Sequence, residues 1–219
     1  MDGERTALEL RVGHPGERLA AMVSTRSDGS GASPADDALR PSPDASDEAM
    51  LSRRPLDRTE RALADRLIGR PARGRPATAV RCAWGLPAVL RVDPALDDGT
   101  PFPTTFWLAC PLANRACGRL EAAGVMTELA DRLGHDEVLA TGHADAHERY
   151  VALRDRLGPE VPGNPSAGGM PDRVKCLHSL YAHYLATGAN PVGAWVGEQI
   201  EPLACPGPCH RVDGGGWRE

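Results

Sequence analysis

With 219 residues, 41 % of them apolar, the chain can build one good-sized domain plus a tail and needs no cross-links to hold a core. A formal net charge of −5 does not favour nucleic acid as a partner, and no apolar run is long enough to cross a bilayer. The N-terminal residues include Asp2, Glu4 and Glu9 and lack the apolar stretch of a signal peptide. That points to the cytoplasm, where the six cysteines would serve as thiols, metal ligands or packed core.

Residues 1–49 are rich in Ser, Asp, Pro, Ala and Gly, carry 10 acidic against 5 basic side chains, and show no sustained hydrophobic period. A disordered, low-complexity tail is expected there. Met50 opens the segment 50–219, read as a single domain, and is itself a candidate initiator. Beyond it the charge is uneven: 51–92 sums to +7 and 93–219 to −7. Two halves of one domain can neutralise such a polarity between them.

Apolar spacing predicts a short amphipathic helix over 56–68, stopped by Gly69 and Pro71, then a basic loop with Arg70, Arg73 and Arg75. Strand-like runs at 77–82, 86–92 and 104–110 are separated by turn-forming residues around Gly85-Leu86-Pro87 and Asp98-Gly99. They predict a small antiparallel meander. Cys110-Pro111 opens a helix over 112–123 with proline at its favoured first position. A thiol beside a helix N-terminus is expected to titrate low, which suits a nucleophile or a metal ligand. Helices follow over 125–133 and 136–157, the second weakened near Gly142. His143 and His147 share one face of it but stand among Asp145, Glu148 and Arg149, and so read as solvated surface. The expected fold is a helix-rich single α+β domain with a small three-stranded antiparallel sheet and a disordered N-terminal tail.

The densest chemistry lies at 168–183. Gly168 and Gly169 can fold a tight turn, and Asp172 offers an N-cap for a helix over 173–187 that Gly188 would stop. The segment carries Arg173, Cys176, His178, His183 and Lys175, the sole lysine beside 24 arginines. At 100° per residue Cys176 and His183 fall on one line, whereas His178 falls on roughly the opposite face. Asn190-Pro191 then turns the chain into a helix over 192–200. The tail carries Cys205-Pro206-Gly207-Pro208-Cys209-His210, a stiff loop with two thiols at a spacing wider than a zinc knuckle's.

Four blocks carry a resemblance. They are Arg81-Cys82 with Gly85-Leu86-Pro87, Pro101-Phe102-Pro103-Thr104 leading to Leu108-Ala109-Cys110-Pro111, Gly168-Gly169-Met170-Pro171-Asp172-Arg173-Val174-Lys175-Cys176-Leu177-His178 with Ala182-His183, and Asn190-Pro191-Val192-Gly193. Together, from about Leu56 to Cys209, the chain resembles the bacterial DUF501 family, a domain of unknown function. The resemblance brings no reaction, cofactor or catalytic residue with it. It implies a chain that begins near the first helix, with 1–49 as an appendage.

Several functions are compatible with these residues. Cys110, Cys176 and His183, completed by Cys209 or Cys205, would supply the soft ligands that zinc prefers. Alternatively Gly168 and Gly169 amides with Arg173, Lys175 and His178 would bind a small anionic or phosphate-containing ligand, with Asp172 working against it. A third reading is thiol catalysis by Cys110 or Cys176 with His183 or His178 as base, for which no Asp or Asn can be assigned to orient the imidazole. The last is a non-enzymatic interaction protein whose Cys and His residues are packed core. Roles for Cys82, Cys117 and Cys205 stay open, as does turnover itself.

Overall fold

A computed structural model of the chain describes residues 39, 41–42, 45–201, 203, 205–213 and 216–218. Most of the expected tail lies outside these. Within them, packing reaches back past Met50. Leu39 is buried, the Ser42 amide donates to the Leu185 carbonyl at 2.8 Å, and a first helix, α1 (Asp47–Ser52), starts on the Ser46 hydroxyl. Met50 points into the core from that helix.

Helix α2 (Arg58–Ile68) begins where the Asp57 carboxylate accepts from the Thr59 and Glu60 amides, and it ends at Gly69 in the left-handed region. Three strands follow, β1 (Ala77–Arg81), β2 (Pro87–Arg91) and β3 (Phe106–Leu108), antiparallel in the order β1-β2-β3. This is the expected meander. The central strand is buried at every position, which requires cover on both faces.

The helices α3 (Pro111–Ala122), α4 (Val125–Leu133) and α5 (Glu137–Asp155) sit within two residues of their expected bounds. In α5 the buried positions Leu139, His143, Ala146, Tyr150 and Leu153 recur every three or four residues, the signature of one core-facing stripe. His143 therefore lies in the core, against the expectation of a solvated face, and its Nε2 meets the Arg173 carbonyl at 3.2 Å. The expected weakening at Gly142 is absent. A side chain there would come within 3.3 Å of Pro191, so the glycine lets α5 approach the start of the last helix.

Helices α6 (Leu177–Thr187) and α7 (Pro191–Ile200) complete the core. Seven of the eleven residues of α6 are buried, and it touches α3, α7 and all three strands of the sheet. A helix that is apolar on nearly every side belongs at the centre of a domain. Asn190 caps α7 by accepting from the Gly193 amide at 2.7 Å. A two-stranded hairpin, β4 (Arg211–Asp213) with β5 (Gly216–Arg218), follows the 205–210 loop, where no element was expected. Among the described residues the architecture is helix-rich α+β with a three-stranded antiparallel sheet, and no helix is long and apolar enough to cross a membrane.

Candidate functional site

The lead-in to α6 differs from expectation. Asp172 caps nothing, because 168–175 folds as a turn in which the Arg173 amide donates to the Gly169 carbonyl at 2.9 Å and Lys175 to Gly168 at 2.6 Å. Gly168 (φ 69) and Gly169 (φ 96) are required by conformation and by space. A Cβ on the first would lie 2.6 Å from the Leu180 side chain, and one on the second 2.8 Å from the Arg173 carbonyl oxygen. Their work is internal packing. Arg173 and Lys175 are exposed on the outside of this turn.

The helix starts only after Cys176, its N-cap residue, which has an extended backbone (φ −153, ψ 106). The helical projection that set Cys176 against His183 and away from His178 therefore does not apply to it. The thiol instead joins His178 and Glu121, the last turn of α3, with the three potential ligand atoms all within 4.8 Å of one another. One carboxylate oxygen of Glu121 accepts both from the Leu177 amide at 2.7 Å and from His178 Nδ1 at 3.0 Å. His178 Nε2 meets the Asn114 carbonyl at 3.0 Å, and the Ser179 hydroxyl donates to Cys176 Sγ at 3.4 Å.

Two acceptors, one at each ring nitrogen, call for a hydrogen on both, which is the imidazolium. The Cys176 side chain, and after it the Glu121 carboxylate, outweigh partial burial and raise His178 to about 9. Burial alone would raise the Cys176 thiol, but His178 and Ser179 together overcome it and hold the thiol below its ordinary range. A thiol that titrates low therefore stands beside a readily protonated ring, with an acidic residue behind that ring.

This group opens on a cleft of about 860 Å³ lined by Cys176, His178 and three arginines, Arg66, Arg70 and Arg115. Arg70 lies over the Trp107 ring, 4.4 Å from its centroid, which fixes the guanidinium at the cleft wall. His210, 7 % exposed, also lines the cleft, and its Nδ1 is buried without a hydrogen-bond partner.

The expected Cys and His site residues are divided among three places. Cys176 and His178 sit at the cleft, and Cys209 lines it. Cys110 is next to a helix N-terminus, as read, but its thiol is not low: burial pushes it up to about 11. It lines a separate small cavity with Cys82, Cys205 and Cys209. His183 lines neither space. It is stacked on Phe106 at 5.7 Å and meets Tyr150 edge-on at 5.1 Å, with Nδ1 3.1 Å from the Asn190 amide nitrogen. Glu121, Arg66, Arg115 and His210 were missed. Glu121 and His178 are 57 residues apart, so no local spacing pairs them.

Fold and site define a helix-rich α+β protein with a Cys/His/Glu group at the head of its central helix. The sequence model of the family described as protein of unknown function (DUF501) matches residues 78–198, more than half of the chain, and the chain belongs to that family. The matched span holds Asn114, Glu121, Cys176 and His178. No curated protein and no solved structure matches the chain.

Proposed function

We propose that Cys176 is a nucleophilic thiol acting on a small phosphate-bearing substrate held in the arginine-lined cleft, in a cytoplasmic setting that keeps it reduced. The carrying observation is His178, bonded at both ring nitrogens by Glu121 and the Asn114 carbonyl beside the Cys176 sulfur. The charge of the imidazolium, held by its two bonds, stabilises the thiolate. Glu121 orients the ring, the role for which sequence reading found no residue. Arg66, Arg70 and Arg115 supply the positive field for the anion.

Iodoacetamide labelling of the full chain, with the modified cysteine mapped by mass spectrometry, tests this. Cys176 should alkylate faster at pH 7 than the exposed Cys209 and be protected by inorganic pyrophosphate. His178→Gln should slow it by about tenfold or more, since each unit by which the thiol titrates higher removes tenfold of its thiolate. Equal rates for Cys176 and Cys209, unmoved by His178→Gln, would rule the reading out.

A metal ion such as zinc at Glu121, Cys176 and His178 is the second reading, favoured by the three ligand atoms lying within 4.8 Å of one another. A carboxylate, a thiolate and an imidazole leave a fourth position open for water. This reading requires His178 to give up a proton and one of its two bonds. Metal that co-purifies with the chain and is lost in Cys176→Ala would support it. Metal content unchanged in that variant would exclude it.

A further inference from the structure

The second cavity is unlike the cleft. It has a volume of about 20 Å³, room for one water-sized body, and four of the chain's six cysteines line it: Cys82, Cys110, Cys205 and Cys209. The remaining wall includes Leu67, Leu86 and Leu112, which offer a water nothing to bond. Trp84 also lines it, and the Trp84 indole N–H is buried without a partner. The thiols are electrostatic neighbours: Cys82 and Cys209 act on Cys110, and Cys82 and Cys205 act on Cys209.

We propose that Cys82, Cys110, Cys205 and Cys209 form a structural site for a soft divalent cation of the zinc class, separate from the Cys176 group. Three elements bring the sulfurs together. Cys82 begins the tight β1–β2 turn, where its amide bonds the Leu86 carbonyl at 2.9 Å. Cys110 is held at the start of α3, its amide on the Ala88 carbonyl at 3.2 Å. Cys205 and Cys209 flank the Pro206-Gly207-Pro208 loop. Two rigid anchors and one loop give the four sulfurs of a closed tetrahedral site. Among the described residues no three of these sulfurs lie mutually within 4.8 Å, so the site closes on the ion. The surface loop is the part that can move: Cys209 is exposed, and the Cys205 thiol is spent on the Gly207 carbonyl at 3.5 Å.

Binding exchanges four S–H protons for one divalent ion, the protons pass to solvent, and no electron moves. The thiolates then give the buried Trp84 N–H an acceptor. Because Cys209 lines both spaces, the ion would fasten the chain end that forms one wall of the cleft.

The test is elemental analysis of the purified full chain after zinc loading and extensive dialysis. About one zinc per chain is expected. It should be retained in Cys176→Ala and fall at least tenfold in Cys82→Ser and in Cys209→Ser. Cobalt(II) in place of zinc should give the intense tetrahedral, thiolate-to-metal spectrum in wild type and in Cys176→Ala. Cys209 is exposed, so its serine variant reports on the site without disturbing the core. Folded wild type that retains no zinc, zinc retained by Cys209→Ser, zinc lost in Cys176→Ala alone, or a weak octahedral cobalt spectrum would each overturn the proposal.

Discussion

Gly193→Ala is expected to destabilise the protein by about 3 kcal/mol or more, enough to abolish folding in a marginally stable domain. An alanine Cβ at this position would lie 2.2 Å from the Leu180 carbonyl oxygen and 2.6 Å from Tyr184 Cβ. The clash is with the backbone of α6, which cannot swing aside as a flexible side chain would. Helix propensity alone predicts the opposite sign, because alanine is favoured over glycine in a helix by about 1 kcal/mol. Gly118 in the middle of α3 supplies the control: open space surrounds it, so Gly118→Ala should gain that amount. Urea unfolding of both variants reads the contrast directly. Similar midpoints for the two would show that α6 and α7 do not approach as described.

Acid should unfold the wild-type chain through His183. Burial, with the charges of Arg149 and His143 adding, depresses its imidazole to about 3. Nδ1 also accepts from the Asn190 side-chain amide, and a proton there would set two donors face to face. The unfolded chain takes up this proton below about 6.5 and the folded chain does not until about 3. Stability is therefore complete above pH 6.5 and falls as the pH drops towards 3. At pH 4.5 the loss from this one group is about 3 kcal/mol. Carboxylates contribute too, and so does His143, which burial lowers in the same direction. The measurement is thus a comparison: between pH 7 and 4.5, His183→Phe should lose about 3 kcal/mol less than wild type. Parallel pH curves for the two proteins would contradict a neutral, buried His183.

The regular elements were legible where local chemistry marks both ends. Gly69 stops α2, Asp136 caps α5 and Asn190-Pro191 opens α7, each close to where spacing placed it. The start of α6 was not legible, because Asp172 has the composition of a cap while the glycine turn before it takes up the neighbouring amides. That error of four residues put Cys176 on the helix and reversed its pairing. His143 was misread because its charged neighbours mark the far face of α5 and say nothing of its own. Glu121 reaches His178, and Arg66 and Arg115 reach the cleft, from other helices, through contacts that only the assembled fold creates. The cysteines were recognised as important, but which of them share a cavity depends on a turn, a helix start and a tail loop whose meeting no spacing encodes.

A single oxygen of Glu121 serves both the first amide of α6 and the ring of His178. Any guest that draws the imidazole towards itself together with the carboxylate bound to it therefore loosens the grip on that amide as well. Occupancy of the cleft becomes visible as faster deuterium uptake at Leu177, a backbone position shielded from the guest. Binding could then be followed without knowing the guest's identity.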